Sequence, residues 1–353
     1  MKKILFFIAL AFSTTVFSQA VFVVQNATSS SAHSTLEAAI TAAVDGDYIY
    51  LPGGIFGVGN LSVNKRVHIF GAGHYPDSTQ ATGRTALSGN IYFVTGSSNS
   101  VLQGVYLSGD IFMGSTADNG VVSNILISRC NVYNISLNYL TTSSTNYGAE
   151  NIFIKDCIIR NNINGASTQG VVVENSIITY QIKNFDANAE FRNNIFLRNN
   201  NYSNSSGYCI LNNISNCNFS NNIFRHSYNS SGGYFAYSSS NNFFNNCIFG
   251  AQSTYIYGGT FSNCLYATDF STLFVNVPSV EDFSYTYDYH LSETSAAIGA
   301  GLNGTDCGIY GGDNPYKDGA VPLNPHIQFK QIPTATDSQG KLNIQVTVSA
   351  QEN

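Results

Sequence analysis

The 353-residue sequence has no tryptophan, two methionines and few charges, with 15 Lys and Arg against 21 Asp and Glu. A chain this sparse and acidic lacks the basic face that nucleic acid or an anionic lipid surface requires. No apolar run of spanning length follows residue 20, so no transmembrane segment is expected in the mature chain. No CxxC pair or Cys/His cluster is present, which argues against zinc and leaves no assigned metal. Gly71-Ala72-Gly73 lacks the third glycine, the following helix and the distal acid of a dinucleotide loop. Helices are scarce too. Residues 34–44 form the one convincing case, with Ser34 and Glu37 as a capping box, Leu36, Ile40, Ala43 and Val44 on one face, and Asp45-Gly46 as the stop.

Residues 1–20 have the build of a signal peptide. Lys2 and Lys3 precede an apolar core over 4–12, and small residues end at Ser18 or Ala20. The chain is therefore expected to be exported, whether secreted, periplasmic or at the cell surface. Loss of Lys2 and Lys3 leaves 13 basic against 21 acidic residues, a balance of −8.

What the sequence has in quantity is one short phrase. It reads Asn-Ile-Leu-Ile-Ser-Arg-Cys-Asn-Val from Asn124 and Asn-Ile-Phe-Ile-Lys-Asp-Cys-Ile-Ile from Asn151, and shorter copies follow to Leu265. Aligned on its Cys/Ser/Asn, the phrase falls at 130, 157, 176, 194, 217 or 222, 247 and 264, at intervals of 17 to 30. Constant strands with elastic loops are the signature of a solenoid, in which each unit buries its apolar side against a neighbour about 4.8 Å away. Its core grows with length, so one elongated domain is expected.

Three columns follow from the alignment. Lys155, Glu174 and Arg192 point outward as a charge ladder. Asp156, Asn175, Asn193, Asn216 or Asn221, Asn246 and Asn263 form a corner that demands left-handed backbone, and stacked amides there can bond along the file. Cys157, Ser176, Asn194, Cys217 or Asn222, Cys247 and Cys264 point inward.

This strand–Asn–small residue–strand phrase resembles the secreted bacterial right-handed parallel β-helix proteins of the pectin-lyase-like superfamily, over about residues 34–312. The resemblance implies an all-β fold, a right-handed parallel β-helix solenoid with an internal Asn ladder and an N-terminal capping helix. Asp288-Tyr289-His290-Leu291 and the Gly-rich run to Gly312 resemble a closing coil. Residues 314–326 read as a linker, and 327–353 as a C-terminal β-hairpin and tail turning at 337–340, placed over the last coil or on its side. The domain plan is thus a leader (1–20), a β-helix (21–313, cap helix 34–44), a linker and a hairpin.

Seven cysteines is an odd number, and five lie in the inward column, so buried thiols are preferred to a disulfide framework. The 24 asparagines of residues 151–250 read as ordered corners rather than a disordered tract.

Relatives of this fold mostly attack polysaccharides. Lyases hold calcium with grouped carboxylates and abstract a proton with Arg or Lys, while hydrolases pair Asp residues and carry a Gly-His-Gly motif. Neither pattern is met here, and Gly73-His74-Tyr75 does not match the latter. Asp306, Asp313 and Asp318 are weighed as calcium ligands but read better as turn formers. No catalytic residue or cofactor is assigned. The candidate glycan-binding strip is Arg160, Tyr180, Lys183, Arg198, Arg225 and His226, set against the plainer reading of a solvated turn column. Tyr228, Tyr234, Tyr237, Tyr255 and Tyr257 are candidates for stacking on sugar rings. The first functional reading is a non-catalytic protein binding a polysaccharide or cell-surface glycan. A polysaccharide lyase or glycoside hydrolase comes second, and a structural component of the cell envelope third.

Overall fold

The computed structural model describes residues 21–118, 120–139, 148–186, 188–198, 209–225, 235–278, 282–321 and 325–350. The proposed leader, His226, Tyr228 and Tyr234 lie outside the described residues.

Two long sheets carry the fold. In the first, Phe22–Gln25 pairs antiparallel with both Ser30–His33 and Asp47–Tyr50. From Asp47–Tyr50 onward each strand pairs parallel with the next pass of the chain, through Val67–Phe70, Val101–Gln103, Leu126–Ser128, Phe153–Lys155, Val172–Glu174, Glu190–Arg192, Asn218–Ser220 and Asn242–Asn245 to Gly259–Ser262. The second sheet runs from Gly54–Val63 through Thr85–Phe93 and Tyr106–Met113 to Asn131–Ser136. There it divides into a ribbon of two-residue strands, Ile158–Ile159 to Ile248–Phe249, and a second ribbon, Asn162–Asn164 to Ala236–Tyr237. From Asp47–Tyr50 onward spatial order equals chain order in the first sheet and along each ribbon of the second, so the chain visits the two sheets alternately and advances one step along the stack per pass. The molecule is all-β and mostly parallel, a pattern compatible with a parallel β-helix.

Alternation along each strand places one file of side chains between the sheets. Ile127, Ile154, Val173, Phe191, Phe219 and Phe244 occupy that file in the first sheet, all fully buried. The later passes use phenylalanine, and its rings stack in register: Phe191–Phe219 at 4.9 Å and Phe219–Phe244 at 4.6 Å, with Phe196–Phe224 at 4.5 Å and Phe224–Phe249 at 5.0 Å opposite.

From Val101–Gln103 onward each pass turns on left-handed residues at both ends of its first-sheet strand. Asn124, Asn151, Asn188, Asn216 and Asn241 precede the strand, and Asp156, Asn175, Asn193, Asn221, Asn246 and Asn263 follow it, all with φ between 48° and 58°. The two candidate registers around 217–222 resolve at Asn222, because Ile223 pairs with Ile195. The outward ladder forms as expected. Lys155 pairs with Glu174 and Glu174 with Arg192, at 3.3 and 2.8 Å.

The amide ladder, however, runs through the inward column instead of the corner column. Asn222 Oδ1 accepts from the Asn194 N–H, Asn194 Oδ1 from the Ser176 N–H, and Ser176 Oγ from the Cys157 N–H. The corner amides are turned the other way and hold the C-terminal part of the chain. Asn246 donates to Ala300 O, Asn193 to Asp306 O and Gly308 O, and Asn175 to Ile309 O, while Asn221 Oδ1 accepts from the Leu302 N–H. Arg129 donates to Val321 O, and Tyr316 meets Tyr75 through their hydroxyls at 3.2 Å. Residues 300–321 thus run back along the stack from its late passes to its early ones. The run read as a closing coil adds no strand to either long sheet: Asp288–Leu291 pairs with Phe274–Asn276 in a separate two-stranded sheet. Residues 314–321, read as linker, include the buried Tyr316, Ala320 and Val321.

This return segment covers the outward side of the two-residue strands. Ile177, Ile195, Ile223 and Ile248 face away from the main core yet are at most 1% exposed, packed with Phe270, Leu273, Phe274, Ile309 and Tyr316 in a second core. Burying each such side chain contributes roughly 1.5–3 kcal/mol.

The helix spans Leu36–Ala42 and lies against the first strands. Its cap is Thr35, whose hydroxyl accepts from the Ala38 N–H at 3.1 Å, so the expected Ser34/Glu37 box is out of step by one residue. Lys65 of the next pass ends it by donating to Thr41 O and Ala43 O. No described helix is long and apolar enough to cross a membrane. All seven thiols are free, and all but the half-buried Cys264 are buried. The hairpin pairs His326–Gln331 with Gln345–Ser349. Its base lies beside Tyr50, Leu51 and Phe70 at the early passes, not over the last one.

Candidate functional site

The return segment walls one side of a groove on the outer face of the first sheet. Two adjoining cavities, of about 380 and 320 Å³, share Asp313 and Asn314. The outward file Gln103, Ser128, Lys155, Glu174, Arg192 and Ser220 lies along them, one residue per pass. Six strands at the spacing of a parallel sheet make a groove about 24 Å long, crossing the strands at right angles.

The chemistry concentrates in the larger cavity. Arg129 and Asp156 follow consecutive strands at the same corner, both left-handed, with φ of 52° and 53°. Arginine rarely adopts that backbone, and such outliers gather where a side chain must be aimed. Arg129 Nε lies 3.5 Å from Asp156 Oδ2, with side chains 7% and 3% exposed. Asp156 Oδ1 is buried without a hydrogen-bond partner. Burial pushes the Asp156 carboxyl up to about 6, against the pull of Lys155 and Arg129 and with a further push from Glu174. The cavity therefore holds a carboxyl that keeps its proton up to about pH 6, beside Arg129, Lys155 and Lys317.

A pH dependence follows. Asp156 keeps its proton to about pH 6 when folded, against an ordinary value of 3.8. Between these values the folded state binds more protons, so this group's contribution to stability is complete below pH 3.8 and lost as pH rises through 6. The loss is about 3 kcal/mol. Asp156→Asn is expected to flatten stability between pH 4 and 7 in urea titrations; an unchanged slope would assign it to another group.

The residues proposed from sequence are distributed differently. Arg198 lies 3.6 Å above the Tyr180 ring, and the pair is brought together. Arg160 and Arg225 share a column but are separated in it by Thr179 and Leu197. Arg225 is 4% exposed, donates to Leu197 O and faces the Phe270 ring. Lys183 sits on the other ribbon, between Asn164 and Asn212. His226 is outside the described residues. Among the described residues no group of three or more His, Cys, Asp or Glu is arranged to hold a metal ion. Asp306 accepts from the Gly299 N–H and Asp318 from the Tyr310 hydroxyl.

Arg129 is not among the residues expected from sequence, because the corner column is dominated by asparagine. The signal was present in the phrase, where Ser-Arg-Cys at 128–130 aligns with Lys-Asp-Cys at 155–157 and sets opposite charges at consecutive corners. No family model matches the chain, and no curated protein matches it.

Proposed function

We propose that this is an exported, right-handed parallel β-helix protein of pectin-lyase-like architecture that binds a polysaccharide strand along the first-sheet groove without cleaving it. The observation that carries the reading is the shape of the site. A groove crossing six passes, lined by one polar or charged side chain per pass, fits an extended repeating polymer better than a compact ligand. Right-handedness is the rule for parallel crossovers. The helix at the early passes is read as a lid over the open end of the stack. Export rests on the leader-like residues 1–20.

A second reading, a lyase or hydrolase, is favoured by one observation: the Asp156 carboxyl, raised to about 6, whose Oδ2 lies by Arg129 while its buried Oδ1 has no hydrogen-bond partner. One experiment separates the two. The chain is passed over immobilised pectin, alginate and host glycans, and eluates are read for unsaturated uronates and new reducing ends. Retention without products supports binding. Products that vanish in Asp156→Asn would replace it with the enzyme. Ser220→Trp, which fills the smaller cavity from its half-buried floor, is expected to weaken retention at least tenfold with stability within about 0.5 kcal/mol of the parent. Unchanged retention in that variant would remove the groove from the account.

A further inference from the structure

At its late end the stack stops with its pairing half made. Strand Gly259–Ser262 is bonded to Asn242–Asn245 on one side, and no described strand takes up its other edge. The core stops with it. Phe261 stacks on Phe244 at 4.7 Å and Tyr266 on Phe249 at 5.5 Å. Both end rings are only half-buried, whereas Phe244 and Phe249 beneath them are covered completely. At the early end, by contrast, the antiparallel strand Phe22–Gln25 takes up the edge of Asp47–Tyr50. An edge with free N–H and C=O groups beside a core opening is a template for one more strand.

The C-terminal hairpin is the converse, a strand pair with an apolar face and nothing beneath it. His326–Gln331 and Gln345–Ser349 pair only with each other. Leu342, Ile344, Val346 and Val348 alternate strictly with polar residues, the pattern of a sheet with one buried face. Yet these four are 45–57% exposed, and Ile327, directly across from Val348, is exposed too. Two strands alone are marginally stable in water and need a third strand or a packing surface. Within one molecule the hairpin and the open edge do not meet. The hairpin base lies beside Tyr50 and Phe70, and Gly259–Ser262 is nine strands further on, roughly 43 Å at the spacing of a parallel sheet.

Each copy thus carries one open edge and one unplaced hairpin, so a second copy supplies in equal number what the first lacks. The two surfaces match in period, since an apolar residue of a docked strand would stack on Phe261 as Phe261 does on Phe244. They also match in charge. Asp269 is the only charged residue between 240 and 276, while the hairpin carries Lys330 and Lys341 against Asp337.

We infer that the protein assembles head to tail, the hairpin of one copy adding a strand to Gly259–Ser262 of a second copy and laying its apolar face over the core opening at Phe261 and Tyr266. A contact between two different surfaces repeats from copy to copy, so it closes into a ring or extends as a filament. Neither surface lines the groove, and the assembly stands independently of the reading given to that groove.

The test is sedimentation velocity of the full chain, after removal of residues 1–20, over a hundredfold range of concentration, with hydrogen–deuterium exchange read at the upper end. Val346→Glu is the variant of choice. It makes the face polar, and its carboxylate lies across the strand pair from Lys330, which keeps the hairpin paired. Its far-UV circular dichroism should match that of the parent. The parent is expected to gain mass with concentration and the variant to remain a single chain. In the assembled parent the amides of residues 259–262 should exchange at least tenfold more slowly than in the variant, with those of Val172–Glu174 in mid-stack unchanged. A parent that is a single chain throughout, or a variant that assembles within twofold of it, would overturn the inference. So would assembly that protects the hairpin but leaves residues 259–262 as they are in the variant, because hairpins would then be pairing with one another.

Discussion

Ile195→Asp is expected to destabilise the folded chain by about 4 kcal/mol, although strand alternation puts residue 195 on the outside. Its register neighbours are Ile177 and Ile223, and all three lie beneath the return segment. A Cβ added at Gly308 would come within 3.6 Å of Ile195 Cγ1 and 2.8 Å of Ile223 Cδ1, so the segment presses directly on this file. A carboxylate there would be buried among apolar side chains, with the buried Arg225 already engaged by Leu197 O and the Phe270 ring, and a buried charge without its own partner is among the costliest single changes. Phe153→Asp is the matched control. It too faces outward, but from the first sheet, where 44% of the side chain remains exposed, and a change within about 1 kcal/mol is expected. Urea unfolding of both variants checks the contrast. Equal tolerance at the two positions would mean that nothing covers the second sheet.

Phe224→Ala is expected to cost about 3–5 kcal/mol, the range for truncating a fully buried aromatic. Phe224 stacks between Phe196 and Phe249 in its own sheet and meets Phe219, Phe235 and Phe244 across the core. Five rings share the space it leaves, and all but Phe235 are held in register by a strand, so collapse to fill the cavity would have to break the stack. Urea unfolding again reads the loss. A cost below about 1 kcal/mol would mean that the rings are not packed as a continuous column.

These two residues also mark where the sequence was readable. The alternation of Ile152 and Ile154 around Phe153, the charges at 155, 174 and 192, and the asparagines at the corners each report a local rule, and the structure repeats them pass after pass. Pairs such as Ile177-Ile178 and Ile195-Phe196 carry two successive apolar residues, which alternation alone cannot satisfy. The explanation lies more than 100 residues downstream, in a segment whose glycines and aspartates look like turns. A contact between positions so far apart leaves no periodic trace. The same holds for the site. The groove exists because residues 302–317 stand beside the sheet, and Asp156 looked like one more corner residue until its burial and Arg129 were seen together. The arginines chosen from sequence shared an offset after the corner, but an offset does not say what lies above it. Arg198 found Tyr180, and Arg225 found Phe270. The helix start slipped by one residue because Ser34 and Thr35 are both good caps and the hydroxyl that reaches Ala38 decides between them.

The most direct test is hydroxyl-radical footprinting of the chain with and without a polysaccharide that it retains. Bound polymer should protect Leu126, Pro315 and Lys317 along the first-sheet groove and leave Tyr92 and Phe112 on the second sheet unchanged. Protection confined to the second sheet, or spread evenly over both, would contradict the account.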